Sequence, residues 1–345
     1  MKKAVLALAM MIAAAPAVAD PVEDFYKGKS LQLVVGYGPG GGYDVYARLT
    51  ARFFGNHIPG KPTIVVQNMP GAGSLRAANW IYVTAPKDGT AFATFARNMP
   101  MMGVLGGNAN VQFDARKYTW MGSPTSAQDD GYFLWVRKDA KAQTLDDARR
   151  PGGPEIILGG TSEGSTDTDV AALMKKTIGL NLRVVAGYPD GNAMSMAMER
   201  GEVEGRFIGL SAVASTLPGW LKPDSTVRPM LQFARATRLK QFPDVPTARE
   251  LAKDEQSRKL IELAEIPYLL SRPLVAPPGI PADRAKALQK AYMDMMKDPE
   301  FLAEAAKLHI DISPLGADDA LKMLDSLANA PEDLKEEIRK LQSGG

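Results

Sequence analysis

Residues 31–44 of the chain are LQLVVGYGPGGGYD, a short apolar strand pattern followed by a glycine-rich run and the start of an amphipathic helix pattern. The same order returns at Thr63 to Val66, which precede Pro70-Gly71-Ala72-Gly73 and a helix predicted from about Ser74 to Thr84. A strand, a glycine loop and a helix, repeated in this way, are typical of an α/β protein with a mostly parallel sheet. These two units therefore decide the fold class.

Further strand and helix patterns follow along the chain. Ala91 to Phe95 comes after the turn Lys87-Asp88-Gly89 and is a third predicted strand. Near the C-terminal end, Leu288, Tyr292 and Met295 recur at helical spacing and predict a helix with one buried face. Later strands, with helical stretches between them, are predicted over 131–136, 155–158, 182–185, 205–208 and 230–233. This later group indicates a second βα lobe.

The two glycine loops predict an anion site. A helix start exposes unpaired N–H groups and the positive end of the helix dipole, and glycines let a ligand approach the backbone closely. In adjacent parallel units both loops lie at the carboxyl edge of the sheet, so their N–H groups can converge on one anion. The alternative is that the glycines only form tight turns. The candidate binding residues of the two loops are Pro39, Gly40, Gly41, Gly42, Ala72, Gly73 and Ser74.

A dinucleotide fold would give the first loop another role. Gly36, Gly38 and Gly41 match the G-x-G-x-x-G fingerprint, but Pro39 interrupts the turn. The next strand also ends in Gln67 where an acidic residue would bind a ribose. The fingerprint alone is a weak signal, and NAD binding is disfavoured.

A serine hydrolase is suggested by one five-residue motif. Gly160 to Gly164 match G-x-S-x-G after a predicted strand, as a nucleophile elbow would. In the chain order of that elbow the base would have to be His309, which has no obvious acidic partner motif. The pattern also arises easily by chance in a glycine-rich chain.

The composition excludes several other functions. Lys2 and Lys3, in the predicted leader, account for the whole formal charge of +2, so the remaining chain offers no broad cationic field for nucleic acid. The sequence contains no cysteine and only two histidines, His57 and His309, which disfavours a transition-metal site. We therefore expect no metal and no organic cofactor.

The first nineteen residues have the pattern of a secretory signal peptide. Ala4 to Ala15 are almost all apolar after a positive start, and Ala17-Val18-Ala19 is a small-x-small cleavage pattern. The apolar run is shorter than the ~20 residues that span a bilayer, which disfavours a membrane anchor. No cysteine is present to carry a lipid. We expect cleavage after Ala19 and a product, starting at Asp20, that is free in a bacterial periplasm.

Seven short motifs follow one another along the chain. They are VGYGPGGGYD at 35–44, NMPGAG at 68–73, GGTSEGST at 159–166, GYPDG at 187–191, GEV at 201–203, DVPT at 244–247 and VAPPGIP at 275–281. In this order they resemble the signatures of the tripartite tricarboxylate transporter substrate-binding proteins, the Bug family. Together they cover essentially the whole chain after the leader, and they give Gly160 to Gly164 an alternative role as part of a binding loop.

The resemblance implies a fold and a partner. The family fold is a two-lobed type II periplasmic binding protein, with two mostly parallel or mixed sheets joined by two crossing strands and the ligand in the cleft between them. One lobe is expected to hold 20–121 plus 234–345 and the other 122–233. By resemblance the ligand is a small organic carboxylate held partly through water, the partner is a pair of membrane-embedded transporter subunits, and the receptor is a monomer.

Departures from the family pattern bear on the ligand body. Tyr43 stands where the family usually has a small hydroxyl residue, Thr168 lies about where it often has a histidine, and Ile208-Gly209 replaces a polar pair. Together with Tyr37, these residues imply an apolar and aromatic distal pocket. We therefore expect a carboxylate with an aromatic or extended apolar body. The alternative, that Tyr43 and Ile208 only pack within their own lobes, stays open.

Polar side chains complete the candidate site. Arg97 follows the third strand, and a guanidinium can hold a carboxylate by two parallel hydrogen bonds, although a surface position is the default for a single arginine. Asp44 is expected to cap and organise the first loop, because its charge would repel an anion. The other candidates are Thr161, Ser165 and Thr166 as second-lobe donors, with Thr168, Tyr188 and Asp190.

Three functions remain from these observations. The leading hypothesis is a transport receptor, not an enzyme, that closes its lobes around a ligand. The second is a carboxylate sensor that contacts a signalling kinase, which would need the same closure. The third is a periplasmic hydrolase that uses Ser162.

Overall fold

The computed structural model describes residues 20–126 and 130–342, so the predicted signal peptide and its cleavage site lie outside the described residues. The strands of the first sheet are β1 (Ser30–Val35), β2 (Thr63–Asn68), β3 (Ala91–Thr94), β4 (Thr119–Ser123), β10 (Leu274–Ala276) and β11 (Leu315–Gly316). Their order across the sheet is β11-β4-β10-β3-β1-β2. Parallel pairing of β1 with β2 and β3 places the loops that follow these three strands at one edge of the sheet.

The second sheet is also mixed. Its strands are β5 (Tyr132–Arg137), β6 (Ile156–Gly159), β7 (Leu182–Val185), β8 (Gly205–Gly209) and β9 (Val227–Phe233). They lie in the order β7-β6-β8-β5-β9, with β6 parallel to β7 and β8, and β5 antiparallel to β8 and β9. The first five residues of β5, an interior strand between β8 and β9, are all buried, as expected for a strand covered on both faces.

Helices flank both sheets. They are α1 (Pro21–Tyr26), α2 (Gly42–His57), α3 (Leu75–Val83), α4 (Met99–Leu105), α5 (Leu145–Arg149), α6 (Thr166–Ile178), α7 (Gly191–Arg200), α8 (Leu210–Thr216), α9 (Glu255–Glu265), α10 (Ala282–Met295), α11 (Pro299–Lys307), α12 (Ala317–Ala328) and α13 (Glu332–Gln342). Within the ranges given above, none of these helices is long and apolar enough to cross a membrane.

Helix α2 shows how the sequence fixes the position of the first glycine loop. Its apolar side chains recur at helical spacing, and Tyr46, Leu49 and Phe54 are buried against β1, β2 and α10. Burying a large apolar side chain contributes roughly 1.5–3 kcal/mol, so this face holds the helix firmly on the sheet. The start of the helix, and the loop before it, are thereby fixed at the carboxyl edge of β1.

The predicted fold class is confirmed: two mixed sheets are built from alternating strands and helices. The chain passes from the first sheet to the second between β4 and β5, and returns after β9. The lobe boundaries remain a prediction. Within the part expected to belong to the first lobe, α9 and α13 pack against α6, which lies between two strands of the second sheet.

Candidate ligand-binding site

The first sheet and the elements around it are called the first half of the protein, and the second sheet and the elements around it the second half. A cleft with about 730 Å³ of empty space, part of it open to solvent, lies between the two halves. The first half contributes residues from the loop after β1, from the start of α2 and from the segments after β3 and before β10. The second half contributes residues from β5 and β8 and from the starts of α6, α7 and α8. A molecule in the cleft therefore contacts both halves.

The first glycine loop places an open helix start on the cleft. The N-cap of α2 is Gly41, which has no side chain to cap the helix. Gly41 and Gly42 both line the cleft. A Cβ on Gly42 would lie 3.0 Å from the Cβ of Ala212 on α8 and 3.2 Å from Nη2 of Arg272. Glycine at this position therefore lets α2 approach the second half closely. The N–H groups of the first turn of α2 make this wall suitable for an anion.

Asp44 organises the first loop from behind. Its carboxylate accepts hydrogen bonds from the backbone N–H of Gly40 at 2.8 Å, from Nε of Arg48 at 2.8 Å and from Nδ2 of Asn68 at 2.9 Å. Although burial works against it, these hydrogen bonds hold the pKa of Asp44 below its usual value. The side chain stays ionised and fixes the turn before α2, and it is not among the residues that line the cleft.

Two tyrosines from the first half line the cleft together. The rings of Tyr37 and Tyr43 are stacked, with centroids 4.8 Å apart. The Tyr43 hydroxyl accepts a hydrogen bond from the backbone N–H of Arg97 at 3.1 Å. Burial raises the pKa of the Tyr37 hydroxyl well above its usual value, so this side chain is neutral. The stacked pair gives the cleft an aromatic wall, and a contact of Tyr43 with ligand stays a prediction.

Arg97 is a buried residue of the cleft wall, not a surface arginine. Its side chain is 3% exposed, and its guanidinium lies 5.1 Å from the ring centre of Tyr132 and 5.3 Å from that of Tyr268. Contacts of this kind hold a guanidinium by attraction to the ring faces. A contact with ligand stays a prediction for Arg97.

Two further arginines of the cleft were not predicted from the sequence. Arg206 on β8 is 6% exposed, and Arg272, just before β10, is 2% exposed. Arg206 and Ile208 are two residues apart on β8, so their side chains lie on the same face of the strand. The sequence signal for Arg206 was a charged residue within an otherwise apolar strand. Arg272 lies in a short Ser-Arg-Pro segment and gave no pattern. The other lining residues absent from the predicted set are Tyr132, Asp167, Asn192, Met194, Ser195, Ala212, Thr216 and Leu217, with Gly38 and Gly191. Ile208 and Gly209, which the sequence assigned to the pocket, also line the cleft.

The second glycine loop lies away from the cleft lining. Ala72, Gly73 and Ser74 all have positive φ, and a Cβ on Gly73 would lie 2.7 Å from the Cβ of Ser165 in the second half. The Ser74 hydroxyl accepts a hydrogen bond from the backbone N–H of Ala96 at 3.0 Å. The first loop supplies residues to the cleft lining and the second loop does not, and convergence of the two loops on one anion stays a prediction.

The predicted second-half residues divide into two groups. Thr161, Thr166 and Asp190 line the cleft, and Asp190 also caps α7 by accepting a hydrogen bond from the N–H of Ala193 at 2.9 Å. Ser165 and Thr168 lie outside the lining, since Ser165 precedes α6 and donates its N–H to the Thr168 hydroxyl at 3.2 Å. Thr161 donates its backbone N–H and its hydroxyl to Asp167. The remaining predicted residues outside the lining are Pro39, Gly40 and Tyr188.

Hydrogen bonds join the two halves beside the cleft. Nδ2 of Asn98 donates to the carbonyl oxygen of Gly164 at 2.9 Å, and the hydroxyl of Thr166, a lining residue, donates to Oδ1 of Asn98 at 2.9 Å. Nδ2 of Asn192, another lining residue, donates to the carbonyl oxygen of Pro39 at 3.2 Å. The two halves are therefore in contact next to the cleft.

The hydrolase alternative finds no catalytic base at Ser162. Within residues 20–126 and 130–342, the buried Ser162 hydroxyl has no hydrogen-bond partner, and His309 is exposed at the C-terminal side of α11. A serine nucleophile needs an adjacent base within hydrogen-bond reach. The same part of the chain holds no group of three or more acidic or histidine side chains suited to a metal ion.

The two sheets, the crossing segments and the cleft between them define a protein with the fold of the periplasmic binding proteins. No protein-family model matches the chain. A curated relative from Bordetella pertussis (strain Tohama I), described as a UPF0065 protein, is 24% identical over 301 residues, which span 86% of this chain and 84% of the relative.

Solved structures share this fold over nearly their whole length. The periplasmic binding protein BugD superposes with a TM-score of 0.69 at 16% identity, over 92% of this chain and 99% of BugD. Rpa4515 of Rhodopseudomonas palustris with adipate gives 0.69 at 19% identity, over 91% and 97% of the two chains. MatC (Rpa3494) of the same organism with bound malate gives 0.66 at 17% identity, over 90% and 99%. The resemblance to the Bug proteins that the motif series indicated is thereby confirmed.

Proposed function

We propose that the chain is a periplasmic solute-binding receptor of the Bug family, which captures a small organic carboxylate in the cleft and delivers it to a tripartite tricarboxylate-type transporter. The observation that carries this proposal is the uncapped start of α2 at Gly41 and Gly42, which opens into the cleft beside the buried Arg272. A helix N-terminus and a guanidinium both favour an anion. The relatives that hold malate and adipate support a carboxylate as that anion.

The ligand body is proposed to be aromatic or extended and apolar. Tyr37, Tyr43 and Tyr132 supply ring surfaces to the cleft, and Met194, Ile208, Ala212 and Leu217 supply apolar surface. A carboxylate at the start of α2 would extend its body along these surfaces. Mostly apolar walls with a few convergent polar groups are usual for small-molecule sites.

Ligand binding is proposed to work by closure. A ligand that contacts both walls binds the closed arrangement more tightly than an open one, so it shifts the population toward closure. The contacts of Asn98 and Asn192 between the two halves belong to that closed arrangement. The transporter subunits would then recognise the closed form, and the lobes would be 20–121 with 234–345 and 122–233.

Export to the periplasm completes the proposal. The signal pattern of the first nineteen residues supports cleavage after Ala19, and a monomer free of lipid would carry the ligand to the membrane. N-terminal sequencing of the protein recovered from a periplasmic extract tests this part. A full-length cytosolic product would contradict it.

A calorimetric titration tests the carboxylate site with one glycine variant. Gly41→Val adds a side chain where a Cβ would meet nothing within 4 Å, at a backbone φ of −82° that valine adopts readily. The protein should fold, but the new side chain should block the approach of a carboxylate to the start of α2. We expect the affinity for the best of a panel of mono-, di- and tricarboxylates to fall by more than about tenfold, or roughly 1.4 kcal/mol.

Gly219→Val is the matched control, because a Cβ there also meets nothing within 4 Å and the residue is exposed and is not among those that line the cleft. It should leave carboxylate affinity unchanged. Equal affinity of the Gly41→Val and wild-type proteins would place the site elsewhere. Failure of every carboxylate to bind the wild-type protein would contradict the proposed function itself.

A further inference from the structure

Arg206 and Arg272 lie on opposite walls of the cleft. Arg206 belongs to β8 of the second sheet, and Arg272 precedes β10 of the first sheet. Both side chains are more than nine-tenths buried, although a guanidinium remains charged at any physiological pH. Burying a charge is costly unless a partner of opposite charge or a full set of hydrogen bonds offsets the lost hydration.

Neither arginine has its full set of partners within the described part of the chain. None of the ion pairs formed there includes Arg206 or Arg272. The Nε atom of each is buried and has no hydrogen-bond partner. Each guanidinium thus has donor capacity that the protein itself does not use.

The protein holds both guanidinium groups in place with only part of their hydrogen-bond donors. Nη1 of Arg206 donates to the carbonyl oxygen of Gly191 and to the Ser195 hydroxyl, the latter at 2.8 Å. Nη1 of Arg272 donates to the carbonyl oxygen of Ser271 at 2.9 Å, and its guanidinium lies 4.6 Å from the ring centre of Tyr43. Such fixed positions reduce the entropy that a ligand loses when it pairs with these side chains.

The acidic residues nearby are already engaged by other donors. Asp167 accepts hydrogen bonds from Thr161 and Ser165, and Asp190 accepts one from the start of α7. Asp130 accepts bonds from the N–H and the hydroxyl of Ser211, and the Ser211 hydroxyl also accepts a hydrogen bond from Nη2 of Arg272 at 3.4 Å. These carboxylates moderate the positive potential of the cleft without forming direct ion pairs with the two arginines.

We propose that Arg272 and Arg206 are two separate anchors, one on each wall, for a ligand that carries two acidic groups. The first acid lies at the start of α2 beside Arg272, and the second meets Arg206 near the start of α7. The aromatic and apolar surfaces between them hold the body of the ligand. This inference rests on the proposed carboxylate-binding function and names the class of ligand as a diacid that links the two halves.

The two anchors have different expected roles. Arg272 lies 3.2 Å, by Nη2, from a Cβ position on Gly42, so it shares its acid with the helix start. Every carboxylate in the panel should use this anchor. Arg206 contacts the second half only, through Gly191 and Ser195, so a ligand with one acid gains nothing from it. Arg206 is therefore the residue that selects diacids over monoacids.

Paired probes test this selection by calorimetry on the full mature chain. The pairs are adipate with hexanoate, and terephthalate with 4-methylbenzoate, in which each monoacid keeps the body of the diacid. The wild-type protein should prefer the diacid of at least one pair by more than about tenfold. Arg206→Gln should abolish that preference, because it should lower the affinity for the diacid and change the affinity for the monoacid by less than about threefold.

Two further variants separate charge from packing. Arg206→Lys keeps the charge but loses the planar fork, so its preference for the diacid should be intermediate; it also serves if Arg206→Gln does not fold. Arg183→Gln is the control, because Arg183 is half-exposed on β7 and pairs with Glu155. It should leave the affinities for all four acids unchanged.

The outcomes distinguish the two proposals. The two-anchor inference is wrong if the wild-type protein binds the monoacids as tightly as their diacids. It is also wrong if Arg206→Gln and Arg206→Lys lower the affinities for both acids of a pair equally. In either case the proposal of a carboxylate receptor stands. If none of the four acids binds, and the wider carboxylate panel also fails, both are wrong.

Discussion

The Tyr43 hydroxyl accepts a hydrogen bond from the backbone N–H of Arg97, with 3.1 Å between oxygen and nitrogen. This bond joins the first turn of α2, which follows β1, to the segment after β3. The same tyrosine stacks on Tyr37 and lies under the guanidinium of Arg272. One side chain therefore fixes the aromatic wall, the loop and an arginine in a single arrangement.

Removing only the hydroxyl tests this link. Tyr43→Phe keeps the ring but leaves the N–H of Arg97 without its acceptor. An unsatisfied buried polar group costs ~1–3 kcal/mol, and we expect a loss of that size in the free energy of unfolding. Chemical denaturation in urea measures it. A loss below about 0.5 kcal/mol would show that water replaces the hydroxyl.

Removing the ring tests the proposed ligand body. Tyr43→Ser should lower the affinity for an aromatic carboxylate more than for a short aliphatic one, by the value of one aromatic contact, ~0.5–1.5 kcal/mol. Calorimetry with benzoate and malate measures the difference. Tyr82→Ser is the control, since this tyrosine packs on Phe113 and Tyr118 rather than in the cleft. A wild-type preference for malate over every aromatic acid would contradict an aromatic ligand.

The stability of the protein should depend on pH through Asp169. Burial, opposed by hydrogen bonds from Asn98 and Gln342, raises the pKa of Asp169 to about 7. In the unfolded chain the pKa is about 3.9, so between these values the folded protein holds a proton that the unfolded chain has lost. The free energy of unfolding should therefore fall as the pH rises from about 4 to 7, and then level off.

Asp169→Asn mimics the protonated acid and should remove this part of the pH dependence. Asp169 is only partly buried, so we expect this change in the free energy of unfolding to be on the order of 1–2 kcal/mol. That is less than the whole shift in the pKa of Asp169 would give. Urea denaturation at pH 5 and pH 8 measures it, with the exposed Asp224→Asn as the control. Equal pH dependence of the wild-type and Asp169→Asn proteins would contradict the prediction.

Gly73 should control closure. A Cβ at this position meets Ser165 of the second half at 2.7 Å, so Gly73→Ala should hold the two halves apart. Gly152→Ala is the matched control: it shares a positive φ, 71° against 59°, but a Cβ there meets nothing within 4 Å. Small-angle scattering with saturating ligand should show a larger radius of gyration for Gly73→Ala only. Identical scattering of the two variants would contradict a role in closure.

Most of the secondary structure was predictable because local patterns determine it. The strands that precede glycine loops and the helix with Leu288, Tyr292 and Met295 buried lie where the sequence places them. Strand β10 was not predicted, since only three residues form it before Pro277. Its pairing with β3 and β4 depends on residues far away in the chain.

The site was less predictable than the fold, because it depends on how the two halves meet. The sequence identified the loop before α2, which follows from local helix chemistry. It did not show that the second glycine loop packs on Ser165, nor that Arg206 and Arg272 face each other's half across the cleft. A charged residue in a strand is normally expected on the solvent face, and only the tertiary arrangement reverses that expectation.

The alternation along β8 has a consequence for molecular length. Successive residues on one face of a strand are ~6.5–7 Å apart, so Arg206 and Ile208 set a charged point and an apolar point at a fixed interval along the wall. The spacing along the strand therefore favours one ligand length. In a series of acids that differ by single methylene groups, affinity should be highest for the chain length that contacts both residues at once.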